Sequence, residues 1–70
     1  MELWYDHTGE LVAPISVIAV GDGVISAAIT KDEKLRLCIL KLDDSFTSLD
    51  LHKDVVVDLI NSIKIGMDLL

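Results

Sequence analysis

The hydrophobic pattern of this chain changes period once. Up to about residue 51, apolar residues come in short β-branched runs or alternate with polar ones; from about residue 52 they recur at steps of three and four. Alternation marks a strand with one wet face, and the three-four step marks an amphipathic helix. Turn-forming clusters cut the first part at intervals: Asp6-His7-Thr8-Gly9, Gly21-Asp22-Gly23, Thr30-Lys31-Asp32-Glu33 and Asp43-Asp44-Ser45. The expectation is an α+β fold. It comprises an antiparallel β-meander of four to five strands within residues 3–51, followed by one C-terminal amphipathic helix at about 52–69. With 70 residues and no linker, repeat or composition break, one small domain is expected.

Leu3-Trp4-Tyr5 is short and β-prone, and Leu11-Val12-Ala13 can pair back on it across the first turn. Pro14 removes a ladder donor, which suits a strand start or an edge. The runs 15–20 and 24–30 flank an Asp-Gly pair, which predicts a tight primed turn with positive φ. A phosphate cradle would need more glycines, a following helix and usually a Lys, so the turn is the better account of these glycines. Thr30 and Glu33 have capping-box spacing. The alternation that follows instead predicts a strand over 34–42, covered on both sides around Cys38-Ile39-Leu40. Further on, Thr47, Leu49 and Leu51 share a face. In the helix, Val56, Leu59, Ile60, Ile63, Met67 and Leu70 form one stripe, with Asp50 as expected N-cap and Asp54 near the positive end. Val57 and Ile65 interrupt the opposite, polar side.

Apolar residues lie on both sides of these strands, and one helix cannot cover both faces of a sheet. A chain this short rarely stabilises itself with a single core. Its one cysteine rules out an internal disulfide, and no multi-cysteine zinc pattern is present. A homodimer or higher oligomer is therefore expected, with a curled, monomeric half-barrel as the alternative.

Residues 11–29 are long enough to span a bilayer, with Asp22 their only charge. Pro14, the two glycines and the central Asp argue against a membrane helix. The acidic N-terminus does not resemble a signal peptide, so a cytoplasmic chain is expected. A net charge of -6 disfavours direct nucleic-acid binding.

No pattern specifies an enzyme. Asp32-Glu33 and Asp43-Asp44 fall in predicted turns that face water, where their pKa values cannot be driven apart for acid-base work. His7 and His52 have acids nearby but no third convergent ligand, so neither metal nor cofactor is expected. Cys38 lies among Leu and Ile residues, as a buried thiol does. Trp4 and Tyr5 are expected to close one end of the sheet over the helix, although paired aromatics also mark binding hot spots.

The function expected is a small acidic protein-interaction module, an inhibitor or adaptor, acting as a homodimer. Its unidentified protein partner would offer a basic surface. Compact acidic chains of this size are frequent among phage and mobile-element proteins, which suggests such an origin by association. A ligand binder with a pocket at the helix–sheet or dimer seam is the alternative. Candidate contacts for a partner or ligand are Trp4, Tyr5, His7, His52, Val57, Ile65, Asp43 and Asp44.

Overall fold

The computed structural model describes residues 2–70. Five antiparallel strands lie in sequence order: β1 (Trp4–Tyr5), β2 (Leu11–Val20), β3 (Gly23–Ile29), β4 (Leu35–Lys41) and β5 (Phe46–Leu51). One helix, α1 (Lys53–Leu69), follows. This is the α+β meander that the change of period predicts. Residues 11–29 form β2 and β3, not a helix, and no helix among the described residues is long and apolar enough to cross a membrane.

Three of the four hairpins use one loop design. Asp6, Thr30 and Lys41 each accept, at the carbonyl, the amide of the residue three positions on: Gly9, Glu33 and Asp44. Their own amides bond the carbonyls four positions on. The fourth residue of each loop is left-handed: Gly9 at φ 84°, Glu33 at 61° and Asp44 at 67°. A type I turn closed by a left-handed residue is a common three-residue hairpin loop. The β2–β3 turn differs. It is tight, with Val20 paired to Gly23, but neither Gly21 nor Asp22 has the positive φ expected of a primed turn. Gly23 is required for another reason. A Cβ there would lie 2.3 Å from the Leu40 carbonyl oxygen on the neighbouring strand.

Pairing divides the side chains between two faces. The first carries Pro14, Val17 and Ala19 from β2, Val24, Ser26 and Ala28 from β3, Arg36, Cys38 and Leu40 from β4, and Phe46, Ser48 and Asp50 from β5. The second carries Ile18, Val20, Ile25, Ile29, Leu35, Leu37, Ile39, Leu49 and Leu51, with Thr47. A bulge between Pro14 and Ser16 leaves Ile15 as the extra residue. Since β1 pairs only with Leu11 and Val12, the rest of β2 is itself an edge, where a proline's missing donor costs nothing.

The helix corrects the expected packing. Lys53–Leu69 packs on neither face of the sheet and has no buried residue. Its N-cap is His52, not Asp50, and no side chain caps it, because Asp50 remains in β5 and bonds Arg36. Only the first turn lies against the sheet end, where Lys53 and Val56 line an apolar cleft with Ile29, Leu35 and Leu51. Two other expectations fail with it. Trp4 and Tyr5 are 59% and 77% exposed, so they close nothing over the helix. The centre of β4 is covered on one side only, with Cys38 buried and Ile39 47% exposed.

Candidate interaction surface

One end of the first face, around Arg36, is covered by the chain's own N-terminal hairpin, while Val17 and Phe46 elsewhere on it are 70% and 44% exposed. Arg36, the only arginine, is buried near the start of β4 between Ala28 on β3 and Asp50 on β5, and a guanidinium held there needs acceptors for all five of its N–H groups. It finds them. Nε and Nη2 donate to the two Asp50 oxygens at 2.6 and 2.8 Å, the bidentate geometry that suits a planar fork. Nη1 donates to Asp6 Oδ2 at 2.8 Å and Thr8 Oγ1 at 2.9 Å, and Nη2 also to Glu10 Oε2 at 3.2 Å. Asp6 is in turn fixed by its own loop. Its Oδ1 accepts the Thr8 hydroxyl and the amides of Thr8 and Glu10. Small residues on β3, Ser26 and Ala28, leave room on this face for the loop to reach β4 and β5. Its tip sets His7 against Phe46, ring centroids 6.0 Å apart.

These contacts decide the protonation of the cluster. Burial works to raise the Asp6 pKa, but hydrogen bonds from Thr8, Arg36 and the Glu10 amide outweigh it and hold the group at about 2. Asp50 is held below the usual carboxylate range, chiefly by its bonds from Arg36. Arg36 is pushed above its ordinary value by Asp50 and Asp6, against the opposing effect of burial. Carboxylates so firmly ionised are poor general acids at neutral pH. The cluster is a clamp between sheet and hairpin.

The second face has no such cover. Ile18 and Leu49 are 56% and 61% exposed, and every apolar position of the helix stripe is at best half-buried. The chain exposes 5631 Å² in total. A compact monomer of 7.7 kDa is expected to expose about 4,300 Å². The radius of gyration, 13.0 Å, also exceeds the roughly 11 Å expected for this length.

No family model, curated protein or solved structure matches this chain.

The sequence-nominated contacts scatter over the molecule. Trp4 and Tyr5 lie on β1 and His7 at the tip of the clamped loop. His52 caps the helix, while Val57 and Ile65 are exposed along it. Asp43 and Asp44 share the β4–β5 loop, and the Leu42 amide bonds the Asp22 carbonyl oxygen at 3.2 Å. That bond joins two acidic loops at one end of the sheet, and all three carboxylates face water. Asp43 is held below its ordinary pKa by the Ser45 hydroxyl and amide. Tyr5 lines a shallow cleft with Gly9, Glu10, Leu11 and Lys31. Trp4, His7 and His52 line neither it nor the cleft at the helix root. Among the described residues, no three His, Cys, Asp or Glu converge as a metal site.

Sequence reasoning missed Arg36. The signal was present: a lone arginine at an inward position of a strand must be matched by acids, and Asp50 follows on the next strand. Its partners Asp6 and Glu10 lie 30 and 26 residues away, which no local pattern reports.

Proposed function

We propose that this chain is a small acidic, non-enzymatic protein-interaction module of the cytoplasm, an inhibitor or adaptor. It works as a homodimer and turns its acidic loops to a basic surface on another protein. The observation that carries the reading is the uncovered area. An excess of about 1,300 Å² over a compact monomer is more than the roughly 800 Å² that each partner contributes to a standard interface. Large contiguous apolar exposure marks protein–protein contact. The three carboxylates of Asp22, Asp43 and Asp44 then lie on a separate end, free for a second, electrostatic contact. Such a contact is screened by salt, because the charges are exposed.

The test compares partner capture by the wild type and by the double variant Asp43→Asn, Asp44→Asn, at physiological salt and at about 0.5 M. A partner held through these loops is captured by the wild type at low salt only and lost by the variant. Capture that ignores both changes overturns the acidic contact.

A further inference from the structure

We infer that the uncovered sheet face is the seat of the helix from a second copy of this chain, the two protomers exchanging α1 reciprocally. The inference rests on the homodimer in the reading above and not on its acidic loops.

Three observations converge on this occupant. The first is the connector. Only His52 separates the last residue of β5 from the first of α1, and its backbone is extended, at φ −69° and ψ 158°. Laying a helix back over the strand it follows takes a reversal of direction, and helix–strand connections in compact units commonly use two to six residues for it. One extended residue sends the helix outward. Closure within one chain is blocked while closure with another is open, the circumstance that favours exchange of an identical element.

The second observation is fit. Seventeen helical residues extend about 25 Å, at about 1.5 Å each. The seven-residue strands β3 and β4 extend about 24 Å, at about 3.4 Å each. On the second face they carry Ile25, Ala27, Ile29, Leu35, Leu37 and Ile39 over about 14 Å of that length, with Gly23 and Lys41 at its far end. The helix offers Leu59, Ile60, Ile63 and Met67 in return, all exposed in the single chain. Gly66 has open space where its Cβ would be, leaving room for a close neighbour.

The third is area. The excess over a compact monomer is of the size a stable dimer buries from each partner, and a two-fold exchange covers sheet and helix together. Pairing the two helices alone would leave both sheet faces wet. Joining the free edges of β5 would leave the helices bare as well.

The experiment is an isotope-filtered NOE measurement on an equal mixture of labelled and unlabelled full chain, with the mass measured on the same sample. Expected are the mass of two chains, twice 7.7 kDa, and intermolecular contacts from the methyls of Leu59 and Ile63 to those of Ile25 and Ile39. A second sample carries about six Gly and Ser residues inserted after His52, a length that permits reversal. Its mass is expected to fall to that of one chain, with its helical circular dichroism intact. Intermolecular contacts restricted to helix–helix or β5–β5 pairs would overturn the exchange and leave the dimer standing. A single-chain mass for the folded wild type at every concentration would overturn both.

Discussion

The two faces of this sheet solve the same problem in opposite ways. At the Arg36 end of one face, polar and small residues are covered by a loop from the same chain, and every guanidinium hydrogen is bonded. On the other face, nine aliphatic side chains spread over four strands meet only the first turn of the helix, at Ile29, Leu35 and Leu51. A polar network is directional and demands particular partners at particular distances, which a tethered hairpin supplies. Apolar burial asks only for area and shape, and a second copy brings both. The first face should therefore behave as a property of one chain, and the second as a property of concentration.

The sharpest way to break that contrast is Arg36→Met. It leaves the Asp6, Glu10 and Asp50 carboxylates without a counter-charge. Removing one partner of a fully buried ion pair costs about 3–5 kcal/mol. With the Glu10 side chain 63% and that of Asp50 35% exposed, water takes up part of that, and about 2–3 kcal/mol is expected. That is a large share of the stability of a domain this small. Urea denaturation is expected to show that loss at every protein concentration. A cost under about 1 kcal/mol would mean that solvent, not the clamp, satisfies these acids.

Concentration itself gives the next effect. If the aliphatic face is closed between copies, each tenfold dilution destabilises the folded dimer by about 1.4 kcal/mol, and the thermal midpoint of the wild type falls accordingly. Ile39→Ser should remove that dependence and leave the Arg36 cluster intact. A midpoint that ignores dilution in the wild type would place both faces in the same class.

Acid probes the clamp more gently. Asp6 has its pKa depressed from 3.8 to about 2 in the folded chain, and Asp50 is depressed by the same guanidinium. A depressed carboxylate stabilises the fold above its unfolded pKa and loses that contribution as pH falls through the folded one. Stability is therefore expected to be full above about pH 5 and to fall toward pH 2, by on the order of 1–2 kcal/mol for Asp6 once solvent screening is allowed for. Asp6→Asn should flatten this slope in a denaturation series. An unchanged slope would assign the acid sensitivity elsewhere.

The contrast between faces also explains what the sequence could and could not say. Alternation from Lys34 to Leu42 located β4 because period is local, and the three-four steps from Val56 to Leu70 located the helix for the same reason. Period says which side of an element is apolar and nothing about what will meet it. The helix thus read as the natural cover of its own sheet, while the single residue at His52 sends it away. Trp4 and Tyr5 read as core because aromatic rings must hide area, yet β1 is two residues long and nothing folds over it. The Arg36 clamp joins residues 14 to 30 positions apart, so its only local trace was one arginine in an apolar run. The glycines at 21 and 23 were legible as a turn, but the demand on Gly23 comes from Leu40 across the sheet, out of reach of any dipeptide rule.

The smallest effect separates the chain's own loops from its association. The same hairpin design carries Gly9 in the clamped loop but Glu33 and Asp44 in the other two, all with positive φ. An L-residue pays roughly 1 kcal/mol for that conformation, and Asp pays less than Glu because its short side chain tolerates it. Glu33→Gly is therefore expected to gain a few tenths to about 1 kcal/mol, reduced by the greater freedom glycine gives the unfolded chain. Asp44→Gly should gain less, since Asp also tolerates the turn. Gly9→Ala should lose about as much as Glu33→Gly gains, with part of the loss passed to the Asp6–Arg36 bond. Because these loops are closed within each chain, the changes should add the same increment at every dilution. An increment that grows with concentration would show that the β3–β4 loop, beside the root of the helix, belongs to the interface between copies.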